Sequence, residues 1–112
     1  MDIKLELRTA NGKFKTFTQD FVPFKKRMEY LKNEAALLEK LEKNDEVERQ
    51  IGLFDYQAEF VASLFEDKEV TKDAILNGLD TENSQSLSDI ILHRVLGIPK
   101  LDTSEGDEKK ED

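Results

Sequence analysis

Two long stretches with helical apolar spacing, separated only by Asn44-Asp45, constrain the fold of this chain more than any other feature. Steps of four and three place side chains on one face of an α-helix. Pro23 suits a first helical turn and Asn44-Asp45 can cap a second helix, so the pattern predicts helices over about 23–43 and from there to about residue 67. The predicted stripes are Phe24, Met28, Leu31, Ala35 and Leu38, then Val47, Ile51, Phe54, Ala58, Val61 and Phe65.

The segment before these helices alternates instead. Ile3, Leu5 and Leu7 are separated by charged residues, and after Asn11-Gly12 the apolar positions resume at Phe14 and Phe17. This pattern predicts a β-hairpin whose turn uses the positive φ angles that Asn-Gly tolerates. Because the link between the long helices is short, we expect them to pack antiparallel, each directing its stripe toward the other helix and the hairpin.

Two shorter elements follow. Thr71 is typical of a helix start and Asn77-Gly78 of a helix stop, which predicts one or two turns over 71–77. A last helix, capped by Asn83 or Ser84 and ended by Gly97 and Pro99, carries an apolar face of Leu87, Ile90, Ile91 and Val95. The predicted fold class is α+β and mostly helical, with one domain over 1–97 and an acidic, disordered tail over 98–112.

The composition excludes several functions. With 25 acidic and 17 basic residues the net charge is −8, so phosphate backbones and anionic membranes are poor partners. The chain has no cysteine and one histidine, His93, which argues against a thiolate or multi-histidine metal site. The glycines do not cluster into a phosphate-binding turn, and no apolar run approaches the roughly 18 residues of a membrane span. We therefore predict a non-catalytic protein without cofactor or metal.

Both long helices carry more apolar residues than one stripe requires. This surplus either caps the ends of the core or forms an exposed patch for a partner. If it is a patch, self-association or capture of a partner helix is the simplest use. The surplus comprises Tyr30, Leu37 and Leu41 on the first helix and Leu53, Tyr56, Phe60 and Leu64 on the second; the candidate partner-binding residues are Leu53, Phe54, Tyr56, Phe60 and Leu64, with Phe54, Tyr56 and Phe60 as anchors.

Residues 65–80, with the phrase Val70-Thr71-x-Asp73-x-Ile75-x-x-Gly78-Leu79, resemble the tail assembly chaperones of long-tailed bacteriophages. The closing Val95-Leu96-Gly97 adds to this resemblance, as do the order and length of the other segments. The likeness spans about residues 1–97.

The resemblance implies a non-catalytic protein in the host bacterial cytoplasm that binds the tape measure protein and keeps it soluble while the tail tube assembles. It also implies a homo-oligomer, and a longer, frameshifted form that recruits the tail tube protein. On this hypothesis, the A-rich slippery sequence at which the ribosome shifts frame encodes Lys109-Lys110. No residue is catalytic in that family, so no active site transfers.

Two other hypotheses stay open. The first is a structural tail completion or connector protein that is retained in the virion. A weaker hypothesis is an acidic protein that mimics nucleic acid, but its carboxylates are interleaved with lysines and arginines rather than forming one stripe.

Overall fold

The computed structural model describes residues 2–99 and has the predicted α+β, mostly helical architecture. A β-hairpin precedes a pair of long helices and a set of shorter ones. The part of the predicted tail over 100–112 lies outside the described residues. The elements are β1 (Ile3–Arg8), β2 (Phe14–Gln19), α1 (Lys25–Leu41), α2 (Glu46–Leu64), α3 (Lys72–Gly78), a 3₁₀ turn (Thr81–Asn83) and α4 (Gln85–Asp89), which continues as a π-helical stretch (Ile90–Val95).

Residues 9–13 connect the two strands of the hairpin. The amide of Thr9 donates to the carbonyl of Lys13 at 2.8 Å, and Gly12 has a φ of 83°. A positive φ angle in this turn agrees with the prediction from the Asn-Gly pair. Of the two phenylalanines, Phe17 pairs with Leu5 and is buried, whereas Phe14 pairs with Arg8 and is exposed. The two rings lie an odd number of residues apart and therefore point to opposite faces of the hairpin.

The core lies between the inner face of the hairpin and the C-terminal half of α2. Ile3, Leu5 and Leu7 supply the β1 side of this core. Asp45 caps α2 by accepting a hydrogen bond from the Glu48 amide at 2.8 Å, as expected for an N-cap aspartate. The helix ends at Leu64, a few residues earlier than predicted, because Phe65 already has an extended backbone.

The buried side chain of Gln19 connects β2 to the segment after α2. Its Oε1 accepts from the Glu66 amide at 3.0 Å and its Nε2 donates to the carbonyl of Phe21 at 2.8 Å. A buried amide that makes hydrogen bonds at both ends costs little to desolvate. Gln19 thereby fixes where α2 leaves the hairpin.

Helix α3 packs directly on β1. Thr71 caps it by accepting from the Ala74 amide at 3.0 Å, as predicted. Gly78 is the last helical residue rather than a left-handed stop; a Cβ atom there would lie 2.6 Å from the carbonyl oxygen of Arg8. The helix therefore ends within one residue of the predicted stop, and the glycine is needed there because the helix and strand backbones nearly touch.

The last helix widens before it ends. The Leu96 amide donates to the carbonyl of Ile91 at 2.8 Å, a five-residue step, and Gly97 follows with a φ of 75°. The predicted apolar face is confirmed by the burial of Leu87, Ile91 and Val95. No helix within residues 2–99 is long and apolar enough to cross a membrane.

Candidate partner-binding surface

Helices α1 and α2 are joined by a cluster of three aromatic rings. The ring of Tyr30 lies 5.0 Å from that of Phe60 and 5.8 Å from that of Tyr56, centroid to centroid. Nearer the start of α1, Lys26 donates to the hydroxyl of Ser63 at 3.2 Å. Residues early in α1 thus meet residues late in α2, which confirms the antiparallel arrangement.

At the other end of the pair, Leu41 packs over Gly52. A Cβ atom on Gly52 would lie 2.9 Å from Cδ1 of Leu41, so the missing side chain makes room for this leucine. Together with the rings, this contact defines which side of each helix faces the other.

That side is not the one predicted from the periodic pattern. On α1 the predicted core residues are exposed, and the surplus residues Tyr30 and Leu41 are buried. Both sides of α1 are apolar, so the spacing alone does not determine which side packs against α2. In the structure it is the side with Tyr30 and Leu41, which contacts aromatic rings and Gly52. The large residues left open are Phe24, Met28, Leu31 and Leu38, here called the α1 stripe, with exposed fractions of 47–66%.

The predicted apolar stripe of α2 is buried in its C-terminal half and exposed in its N-terminal half. Ala58, Val61 and Phe65 are buried, as expected. The N-terminal half of the same line stays uncovered, and the expectation that it packs in the core is also wrong. Its residues are Val47, Ile51 and Phe54, here called the α2 stripe, with exposed fractions of 57–65%.

The five candidate partner-binding residues have different environments. Phe60 and Leu64 are only 3% exposed and belong to the core. Leu53 and Tyr56 are partly buried, and Phe54 alone presents an open apolar surface. The structure therefore joins Tyr56 and Phe60 into the ring cluster and separates them from Phe54. The residues that the sequence reasoning missed are the other members of the two stripes, which it had assigned to the core.

The ring cluster is held in its neutral form. Burial raises the pKa of Tyr30 well above its ordinary value, and a hydrogen bond to the carboxylate of Glu34 adds to the effect. Burial likewise raises the pKa of Tyr56. An uncharged, stacked interface suits a contact that supports two helices rather than one that binds an ion.

Charged side chains border the exposed stripes. The guanidinium of Arg27 lies 5.0 Å from the centroid of the Phe24 ring and donates to the carbonyl of Val95 at 2.8 Å. Lys72 forms an ion pair with Asp55 at 3.1 Å, and this carboxylate raises the pKa of Lys72. The stripes thus lie on a surface that is polar at its margins and apolar along its centre.

Groups suited to chemistry are sparse in the described part of the chain. A cleft beside the hairpin turn is lined by Arg8, Glu69 and Asp73 among others, but no three His, Cys, Asp or Glu side chains within residues 2–99 are grouped to hold a metal ion. Nδ1 of His93 lies 2.6 Å from the carbonyl oxygen of Ile98, at the end of the last helix.

Comparison with known proteins identifies a family. The model of a family described as phage tail chaperone protein matches residues 1–112, the whole chain. No curated protein and no solved structure matches significantly.

Proposed function

The chain belongs to the phage tail chaperone protein family, and we propose that it binds the tape measure protein and keeps it soluble in the host bacterial cytoplasm while the tail tube assembles. In this proposal the protein is not an enzyme. It acts by covering apolar surface on its client.

The exposed stripes are the observation that supports this function. Soluble monomers rarely leave large apolar side chains contiguous on their surface, and where they do the patch is usually a binding site. From Phe24 to Leu38 the α1 stripe extends over about 20 Å of helix, at 1.5 Å per residue. That length fits about four turns of an amphipathic client helix bound side by side with α1.

A long helical client presents the complementary problem. Its apolar positions aggregate in water unless another apolar surface covers them. A net charge of −8 keeps the resulting complexes apart in solution. A client much longer than one stripe requires several copies of the chaperone.

The proposal is tested by co-expression with the tape measure protein, using a variant in which Met28→Gln, Leu31→Gln and Leu38→Gln replace three of the four members of the α1 stripe. All three residues are exposed, so the fold should persist. The wild type should keep the client soluble and co-elute with it, and the triple variant should not.

The matched control carries Phe14→Gln and Leu76→Gln, which are equally exposed but lie on β2 and α3. It should behave as the wild type does. An insoluble client with the wild type, or equal rescue by the triple variant, would contradict the proposal.

Mass spectrometry of purified particles tests the alternative of a completion or connector protein, because a chaperone is absent from the finished virion and such a component is present.

A further inference from the structure

We propose that the N-terminal half of the α1 stripe, Phe24, Met28 and Leu31, binds client segments whose apolar face is bordered by carboxylates. This inference rests on the proposed function and adds the chemistry by which the surface selects its client. Three features of α1 support it: cations on both sides of these apolar residues, the lack of ion pairs to those cations within the described chain, and a reversal of border charge further along the helix.

Cations border this half of the stripe on both sides. At 100° per residue, Lys25 and Lys32 lie about 100° and 80° from the direction of Phe24 on one side of the helix. Arg27 lies about 60° away on the other side. A helix that docks along the three apolar side chains therefore has positive charge at each of its margins.

The guanidinium of Arg27 is held at its margin by contacts with the rest of the fold. It lies 5.0 Å from the centroid of the Phe24 ring, and its Nε donates to the carbonyl of Val95 at 2.8 Å. On the far side it packs against Gly97, where a Cβ atom would lie 2.6 Å from Nη2. The bond to Val95 uses Nε and leaves the N–H groups of the Nη atoms, which are suited to a carboxylate.

These cations have no acidic partner within residues 2–99. Lys25, Arg27 and Lys32 form no ion pair there. The first turn of α1 contains no acidic residue, whereas α2 begins with Glu46 and Glu48. Since the helix dipole disfavours cations at the N-terminal end, the cluster does not stabilise α1 in the unbound chain. Its charge is therefore available to a partner.

The border charge reverses in the second half of the helix. Glu34 lies on the same side as Arg27, and Glu39 lies on the same side as the two lysines, at 100° per residue. Carboxylates on a client would be repelled beside Leu38 and attracted near Phe24. The stripe therefore selects carboxylates over about two turns of client helix, which also fixes the register of the complex.

A protein helix suits this surface better than a nucleic acid does. The apolar residues between the cations are spaced by four and three positions, as a helix-in-groove contact requires. A phosphate backbone would gain nothing from these apolar side chains and would be repelled by the net charge of −8.

The test measures the binding of two labelled peptides by fluorescence anisotropy. Both are amphipathic helices of about 18 residues with leucines at helical spacing; two turns of border positions carry Glu in one peptide and Lys in the other. The protein carries Ile51→Gln and Phe54→Gln, two exposed positions of the α2 stripe. These changes are needed because Glu48 and Asp55 beside that stripe would attract the Lys-bordered peptide.

The Glu-bordered peptide should bind about tenfold more tightly than the Lys-bordered one, because several attractive pairs become repulsive. Higher salt should narrow this preference. Lys25→Glu with Lys32→Glu should remove it. The matched control, Lys13→Glu with Lys68→Glu, changes the net charge equally at exposed loop positions and should keep it. Circular dichroism checks that each variant retains its helix content.

Several results would overturn the inference: no peptide binding, equal binding of both peptides, a preference that persists in the Lys25→Glu, Lys32→Glu variant, or tighter binding of a single-stranded oligonucleotide than of the Glu-bordered peptide. Co-expression of the wild type with the tape measure protein tests the proposed function separately. A soluble client without any peptide preference overturns the border-charge inference alone, whereas an insoluble client contradicts the proposed function.

Discussion

Replacing Gly78 with alanine tests the close approach of α3 to β1. The new Cβ would lie 2.6 Å from the carbonyl oxygen of Arg8 and 3.2 Å from Cβ of Leu7. The nearest atom belongs to the strand backbone, which is fixed by its pairing with β2, so α3 must move away. Overpacking of this kind costs about 1–3 kcal/mol. Alanine recovers less than about 1 kcal/mol of helix propensity at a terminal position, which leaves a net loss of about 1–2 kcal/mol.

Urea denaturation followed by circular dichroism measures this loss. For a domain of this size it corresponds to a melting temperature lower by roughly 5–10 °C. Gly52→Ala is the matched control, because there the close atom is the end of the flexible Leu41 side chain, 2.9 Å away, and the helix interior gains propensity. Its stability should stay within about 0.5 kcal/mol of the wild type. A Gly78→Ala protein as stable as the wild type would mean that α3 and β1 do not approach this closely.

Three further predictions use the same protein. Phe60→Ala should cost about 3–5 kcal/mol because its ring is buried, whereas exposed Ile51→Ala should cost less than about 1 kcal/mol in the same urea titration; equal losses would contradict the assignment of faces. Thr71→Ala should lose about 1 kcal/mol with its capping hydrogen bond, and Thr71→Ser should retain most of it. The pKa values of Tyr30 and Tyr56 are raised, so above about pH 10 the unfolded chain releases protons that the folded chain keeps, and stability should fall as the pH rises. Phenolate absorbance follows this directly because the chain has two tyrosines and no tryptophan; ionisation near pH 10 in the folded protein would speak against it.

The order and type of the elements could be predicted from the sequence because their signals are local. Asn11-Gly12 marks the hairpin turn, and Asp45 and Thr71 begin their helices as N-caps. Helix ends were less predictable: the extended backbone at Phe65 carries no proline or glycine to mark it.

The choice between two apolar sides of the same helix could not be predicted from spacing. It depends on shape complementarity between segments far apart in the chain, where Tyr30 meets Phe60 and Leu41 meets the space above Gly52. A glycine in the middle of a helix was the one available signal, because it costs helix propensity and suggests close packing. Because the other side of α1 packs against α2, residues predicted to lie in the core form the exposed candidate site. Phe60 and Leu64, which were predicted to bind a partner, lie in the core instead.

Site-specific photo-cross-linking shows whether the exposed α1 stripe binds the client. A photoreactive residue is placed at Leu31 in one protein and at Leu76 in another, positions with nearly equal exposure of 51% and 50%. Each protein is co-expressed with the tape measure protein and irradiated. Position 31 should cross-link to the tape measure protein and position 76 should not. A soluble complex that cross-links from position 76 and not from position 31 would contradict it.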